Sequence, residues 1–324
     1  MLSKFKYNRA KSVKEAVEMA SQPGSSVLAG GTDLLGCLRD RVFAADRVVS
    51  ISGLQELKGI ARRTGGGLRI GALTTVAAVA EDDQVRQLYP VLAMAAASVA
   101  SPQLRHQGTI GGNICQRPRC WYFRGDFHCV RKGGDTCFAM TGENQYHCIL
   151  GGAECIMVHP SDTAPALVAL DAKFRVAGRS GVRTVPASSF FVLPQDNTRK
   201  ENVLNPGELI TEILLDPPEP GARSTYRKVR ERGAFDFALA GAALALTVAD
   251  GKVTKARVVL SGVAPAPWRA VEAEKALLGK ALDPATAAAA AALAVKGSLA
   301  QSENGYKIPL AAGMLEETLT SLAS

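Results

Sequence analysis

The sequence predicts an α+β protein: alternating strands and helices over roughly the first two thirds, then a terminal domain that runs first as strands and afterwards as helices. Three observations carry this. Short apolar runs alternate with helical patterns, and Gly-Gly pairs stand at the turns between them. A proline-rich segment, Asp216-Pro217-Pro218-Glu219-Pro220-Gly221, interrupts the chain as a linker. Beyond it, Ala240 to Val248 and Val253 to Leu260 flank Asp250-Gly251, a hairpin signal, and helical patterns follow Pro267 to the end.

The elements follow in order. Ser12 and Glu15 have the spacing of a capping box, and Val13, Ala16, Val17 and Ala20 share one face, so a helix is expected near residues 12 to 21. Ser26 to Leu28 reads as a strand running into Ala29-Gly30-Gly31-Thr32-Asp33-Leu34. Val48 to Ile51 and Leu68 to Ala72 are further strands, the latter ending in Thr74-Thr75 as helix caps. An alanine-rich helix around Pro90 to Ala100 leads to a second turn, Thr109-Ile110-Gly111-Gly112-Asn113. The stretch from Cys115 to Ala153 has neither helical nor strand periodicity and reads as an insertion. A helix with an early Pro165 resumes after Asp162, then strands through Val176 and Val185. In the terminal domain, helices are expected over Val271 to Leu278, after Asp283-Pro284, and from Met314 to Leu322.

Composition excludes several classes. At 47% hydrophobic and 21% charged residues, 324 in all, the chain can bury cores for two or three domains. No run is long and apolar enough for a signal-peptide core or a membrane span, so a cytoplasmic location is expected. The net charge of +8 is scattered, with no basic stretch interleaved with aromatics, which speaks against nucleic acid and suits phosphate-bearing cofactors or an acidic partner. Of seven cysteines, Cys37 stands apart and Cys115, Cys120, Cys129, Cys137, Cys148 and Cys155 crowd one segment. Without a secretory signal, that clustering points first to metal binding, then to redox chemistry.

A dinucleotide brings a pyrophosphate, and consecutive backbone amides exposed by glycine can hold it. Gly30 and Gly31 would let the main chain approach, Thr32 could donate its hydroxyl, and Asp33 could fix the turn by capping the following amides. Thr109 and Asn113 frame Gly111 and Gly112 in the same manner. Either pair alone is also what an ordinary strand-to-helix turn looks like. No GxGxxG or GxxxxGK[ST] is present, so neither a Rossmann nor a Walker site is indicated.

The strings AGGTDLL (Ala29 to Leu35), IGA (Ile70 to Ala72), TIGGN (Thr109 to Asn113), SDTAPALVALDA (Ser161 to Ala172) and YRKVRERGAFDFALAG (Tyr226 to Gly241) together resemble the FAD-binding medium subunits of the xanthine dehydrogenase and carbon monoxide dehydrogenase family. The resemblance implies a flavin-binding fold of the p-cresol methylhydroxylase type over residues 1–218, in lobes of about 1–55 and 56–218, and the family's C-terminal α+β domain over 222–324. It implies non-covalent FAD held by Ala29 to Leu34 and by Thr109, Gly111, Gly112 and Asn113, with Asp162 near the ribityl and flavin region. Lys228 would bring a positive charge to the isoalloxazine ring. Catalytic residues acting on an organic substrate are not expected. A large molybdenum-cofactor subunit and a small subunit with [2Fe–2S] clusters are the implied partners, with an external electron acceptor or donor.

Four thiolates hold either a [4Fe–4S] cluster or a structural zinc, and the cysteine spacings here do not choose between them. The opening pattern GGN-x-CQ-x-x-RC is similar to the subset of the family with an inserted [4Fe–4S] loop, as in 4-hydroxybenzoyl-CoA reductase and a bacterial aldehyde oxidoreductase. That resemblance implies Cys120, Cys129, Cys137 and Cys155 as ligands, with Cys148 the remaining candidate for the place of Cys155. His128 and His147 adjoin these positions and could ligate or tune a cluster. Two other readings are a zinc-stapled binding or scaffold protein and a self-contained flavin oxidoreductase.

Overall fold

The computed structural model describes residues 2–323. Its first lobe is a three-stranded parallel sheet, with Arg47–Ser50 between Lys6–Arg9 and Ser25–Leu28. Parallel strands need crossovers, and the helices Val13–Ala20 and Leu34–Arg39 supply them. Ser12 caps the first helix through the amide of Glu15 at 3.2 Å. The Glu15 carboxylate returns to the amide of Lys11 (2.7 Å), one residue before the position a capping box uses.

The second lobe carries a five-stranded antiparallel sheet in the order Ile60–Arg62, Leu68–Gly71, Leu209–Leu215, Lys173–Gly178, Gly181–Pro186. The neighbours Leu68–Gly71 and Leu209–Leu215 are distant in sequence, and the helices and the cysteine insertion lie between them. Two of those helices are apolar on nearly every face: Thr163–Ala169 is buried along its whole length, and Pro90–Ala97 is buried apart from Met94 and Ala97 on its outer side and the half-covered Pro90. Their core also takes in Tyr226, Ala243 and Val259 of the third domain, so the two parts share one apolar interior.

The third domain is a meander of four antiparallel strands, Ala222–Val229, Ala240–Ala249, Lys252–Ser261 and Trp268–Arg269, followed by the helices Val271–Leu277, Pro284–Ala294 and Lys307–Ser321. Asp250 and Gly251 both have positive φ, +50° and +72°, the conformation of the tight hairpin turn that the dipeptide predicts. Among the described residues no helix is long and apolar enough to cross a membrane.

The insertion holds only one short α-helical turn, Trp121–Arg124, and two 3-10 turns, Val130–Lys132 and Phe138–Met140. Both of its ends are fastened. At the start, Asp33 accepts the amide of Arg117 (2.7 Å) and pairs with Arg119 (2.9 Å) and Arg124 (2.7 Å). Asp33 therefore does not cap the helix it precedes, contrary to the sequence expectation, because three donors, two of them charged, claim its oxygens. At the other end, Ile149 and Leu150 enter the core of the third domain. Beside them the fully buried Lys307 donates to the carbonyls of Tyr146 (2.8 Å) and Gly262 (2.7 Å).

Candidate functional site: a dinucleotide cleft beside a cysteine pocket

Both glycine turns line one cleft of ≈ 500 Å³, together with Asp162 and Lys228. At the first turn the strand Ser25–Leu28 ends, Ala29 and Gly30 cross the cleft floor, and Gly31 turns the chain at φ +77° into Leu34–Arg39. Among the described residues, no acceptor within the protein takes the amides of Gly30, Gly31, Thr32, Asp33 or Leu34, and the Thr32 hydroxyl makes no hydrogen bond. Five consecutive amides without acceptors form a concavity for an anion. Gly30 has a second reason to lack a side chain: a Cβ there would stand 2.1 Å from the Gln107 carbonyl oxygen.

The second turn works differently. Its amides are already used, Ile110 by Thr74 O, Gly111 by Ala72 O, Asn113 by Thr109 O, and Gly112 by the Thr109 hydroxyl at 3.2 Å. What it offers instead is room and one amide group. Gly112 is exposed at the cleft, and a Cβ added there would meet only the Thr109 hydroxyl, at 3.0 Å. The Asn113 side-chain oxygen accepts from Ser161 (2.5 Å) and Thr163 (2.7 Å), which fixes the amide and leaves its NH2 as the free donor.

Asp162 and Lys228 form an ion pair at 2.7 Å, with side chains 6% and 3% exposed. Tyr226 donates to the other carboxylate oxygen (2.8 Å), and Lys228 also donates to the carbonyl of Ser98. Burial pushes the Asp162 carboxyl above its usual range, and Lys228 opposes that push. The pair carries no net charge, so the lysine presents hydrogen-bond donors to the cleft with its charge balanced by Asp162. Arg117 and Arg119 of the insertion also line the cleft and were not singled out from the sequence. The string CQRPRC contains the signal, two basic residues directly after a glycine turn.

The insertion gathers its thiols behind that cleft. Four of them fall in two small apolar clusters, one joining Cys129 and Cys120 to Cys37 and Phe123, the other joining Cys148 and Cys137 to Ala139 and Ile156. Burial raises Cys120 to about 11 and Cys148 to about 12. Cys155 is held below the usual thiol range, first by the Cys137 thiol and then by the Arg131 guanidinium. His147 brings Nε2 to 3.3 Å from Cys120 Sγ, and burial pushes the ring down to about 4, so it is neutral. Among the described residues no three His, Cys, Asp or Glu side chains converge as the ligands of a single bound ion do.

A second cavity of ≈ 370 Å³ adjoins the first and shares Arg119, Asp162, Phe235 and Phe237 with it. It lies between the insertion, which contributes Trp121, Tyr146 and His147, and the loop after strand Ala222–Val229. That loop is drawn over the second lobe by the amide of Phe235, which donates to Ala100 O at 3.0 Å.

Residues 3–218 match the family described as FAD binding domain in molybdopterin dehydrogenase, and residues 224–322 match the CO dehydrogenase flavoprotein C-terminal domain. The chain belongs to this family of molybdenum hydroxylase flavoproteins. It is 38% identical over 281 residues to the aldehyde oxidoreductase FAD-binding subunit PaoB of Escherichia coli, covering 85% of this chain and 86% of that one. It is 30% identical to the carbon monoxide dehydrogenase medium chain of Hydrogenophaga pseudoflava, over 98% of this chain and 96% of the other. Among solved structures, reconstituted CO dehydrogenase from Oligotropha carboxidovorans superposes with a TM-score of 0.79 at 26% identity over the whole of both chains. The chain is thus an FAD-binding subunit of the molybdenum hydroxylase class, with the mixed helix and sheet architecture of the family.

Proposed function

We propose that the chain carries FAD in the larger cleft and a [4Fe–4S] cluster in the cysteine pocket, and passes electrons between a [2Fe–2S] small subunit and an external acceptor or donor. The observation that carries this reading is the single cleft onto which two distant glycine turns open, with five amides lacking acceptors and a buried thiol group behind it. Residues 1–218 form the flavin domain, 115–155 the cluster loop and 222–324 the C-terminal domain. When bound, FAD supplies a carrier of one or two electrons and the cluster a one-electron carrier.

The protein's own part is to bind and orient. The amides of Gly30 to Leu34, the Thr32 hydroxyl and the Asn113 NH2 receive the pyrophosphate, and Arg117 and Arg119 balance its charge. Gly112 keeps the floor open and Gly111 lets the turn pack against Ala72, while the Thr109 hydroxyl holds the second turn in shape and Ala29 lines the cleft. Asp162 and Lys228 present a fixed donor and acceptor where the two cavities meet. Cys120, Cys129, Cys137 and Cys155 ligate the cluster, and Cys148 stays a buried neighbour. Arg131 of the same loop is buried, with Nε and Nη2 lacking a hydrogen-bond partner among the described residues. A large molybdenum-cofactor subunit would carry the substrate site. The 38% identity to an aldehyde oxidoreductase subunit favours an aldehyde as substrate of the complex.

The test compares the isolated chain with the full complex under anaerobic conditions. Added aldehyde should bleach the flavin absorbance in the complex and leave it unchanged in the isolated chain. Turnover of aldehyde by the isolated chain would overturn the electron-transfer reading in favour of a self-contained flavin enzyme.

A further inference from the structure

We propose that the second cavity binds an uncharged, planar aromatic molecule carrying a carbonyl acceptor, at a site beside the dinucleotide cleft and distinct from it. Its volume of ≈ 370 Å³ falls within the range of about 300–1,000 Å³ usual for small-molecule pockets. Aromatic rings line it from two separate parts of the chain, Trp121 and Tyr146 of the insertion and Phe235 and Phe237 of the loop after Ala222–Val229. Trp121 and Tyr146 meet edge to face with ring centroids 5.7 Å apart, and the Arg119 guanidinium lies 5.3 Å from the centre of the Phe237 ring. Phe235 and Phe237 are 58% and 45% exposed, so the wall keeps apolar ring surface that a ligand would cover. Phe235 also takes φ +74°, a conformation that a bulky side chain rarely adopts, and its amide bond to Ala100 O holds it there. Strain of this kind collects at ligand clamps.

The polar groups of the wall decide the kind of ligand. Arg119 pairs with Asp33 at 2.9 Å, Arg232 with Asp236, and Asp162 with Lys228 at 2.7 Å, while Glu231 accepts from the Tyr146 hydroxyl at 2.9 Å. Among the described residues that line the cavity, no cation is left without a carboxylate, so the wall offers nothing to a ligand carboxylate or phosphate. One donor does remain. His159, 4% exposed, accepts the Ser161 amide on Nδ1 at 3.4 Å, and burial keeps the ring neutral, so its proton sits on Nε2. Nε2 is buried with no hydrogen-bond partner among the described residues, which costs stability unless an acceptor reaches it. A carbonyl oxygen on a ring between the aromatic walls is such an acceptor. The two cavities share Arg119, Asp162, Phe235 and Phe237, so the bound ring would lie against whatever the larger cleft holds. That place suits the external acceptor of the proposed function; this assignment rests on that reading, and the binding does not.

Equilibrium dialysis of the full chain as purified, with flavin assayed in each sample, tests the site. The probe is 2,3-dimethyl-1,4-naphthoquinone, whose substituted ring does not alkylate thiols, set against naphthalene, which lacks the carbonyls, and 2-naphthoate, which adds a charge. The quinone should bind at one site per chain, about tenfold more tightly than 2-naphthoate and without releasing flavin. Trp121→Ala should weaken it at least about tenfold, and His159→Phe about fivefold while leaving naphthalene unchanged. If a variant fails to fold, the order of the three ligands on the unaltered chain decides. Equal affinity for quinone and naphthoate, undiminished binding in both variants, or quinone bound only as flavin leaves would overturn the inference. Binding in the expected order by a quinone that does not reoxidise the photoreduced flavin would keep the site and overturn only its assignment to the external acceptor.

Discussion

Replacing Lys228 by Met separates a buried ion pair and isolates what the pair contributes. The lysine and Asp162 are both nearly inaccessible and 2.7 Å apart. Removing one partner of such a pair leaves an uncompensated charge, at a cost of about 3–5 kcal/mol. Asp162 has a partial escape, because the Tyr226 hydroxyl still donates to it and burial already raises its carboxyl, so it can take up a proton. The cost should then fall near the lower end, about 3 kcal/mol. The sign of the pH dependence follows. With its folded-state value raised above the unfolded one, Asp162 binds more protons in the folded state, so the variant should lose stability as pH rises through the acid range. Urea unfolding at several pH values measures this, and the double variant Asp162→Asn with Lys228→Met should recover most of the loss. A single-variant cost below about 1 kcal/mol, as for an exposed pair, or a double variant that merely sums the two losses, would refute the reasoning.

Gly112→Leu places a side chain in the cleft beside Thr109 without touching the core, so the flavin content of the purified chain should fall at least tenfold while the melting temperature of the apoprotein stays within a few degrees. His159 is buried and pushed down to about 3, chiefly by burial. Its unfolded form takes up a proton near pH 6.5 while the folded form does not, so its contribution is complete above that pH and is lost progressively toward pH 3. Between pH 6.5 and 5 the loss should be about 2 kcal/mol in urea titrations, and His159→Leu should lack it. Asp33→Asn removes the carboxylate shared by Arg119 and Arg124 at the start of the insertion. Limited proteolysis should then cut within residues 115–155 faster than in the unaltered chain, and an unchanged rate would count against Asp33 as the fastening point.

The strands and helices that close on themselves were legible in the sequence. Asp250-Gly251 names its own turn, and Ser12, Thr75 and Asp283 cap the helices they precede. Two other strands were not. Lys6–Arg9 is too polar to show a pattern, and Leu209–Leu215 pairs with Leu68–Gly71 only through a fold that spans the insertion. In the site, the glycine turns could be read from residue type, because a backbone that must approach a ligand closely excludes a Cβ. The division of labour between them could not, since whether an amide is free depends on carbonyls such as Thr74 and Ala72 that tertiary packing brings up. The same holds for charge. Lys228 looks like a free cation in the sequence and becomes half of a neutral pair only when the third domain docks on the helix after Asp162. Arg131 and Glu201, 70 residues apart, show nothing of their partnership until the chain is folded.

The central claim is that one chain carries both electron carriers, and the most direct measurement is flavin and iron per polypeptide on the chain purified anaerobically. The account predicts about one FAD and about four irons, with iron lost in Cys155→Ala and retained in Cys148→Ala. One FAD with zinc or no metal would contradict the cluster and leave the insertion as a structural clasp. A chain with neither flavin nor iron would contradict the claim as a whole.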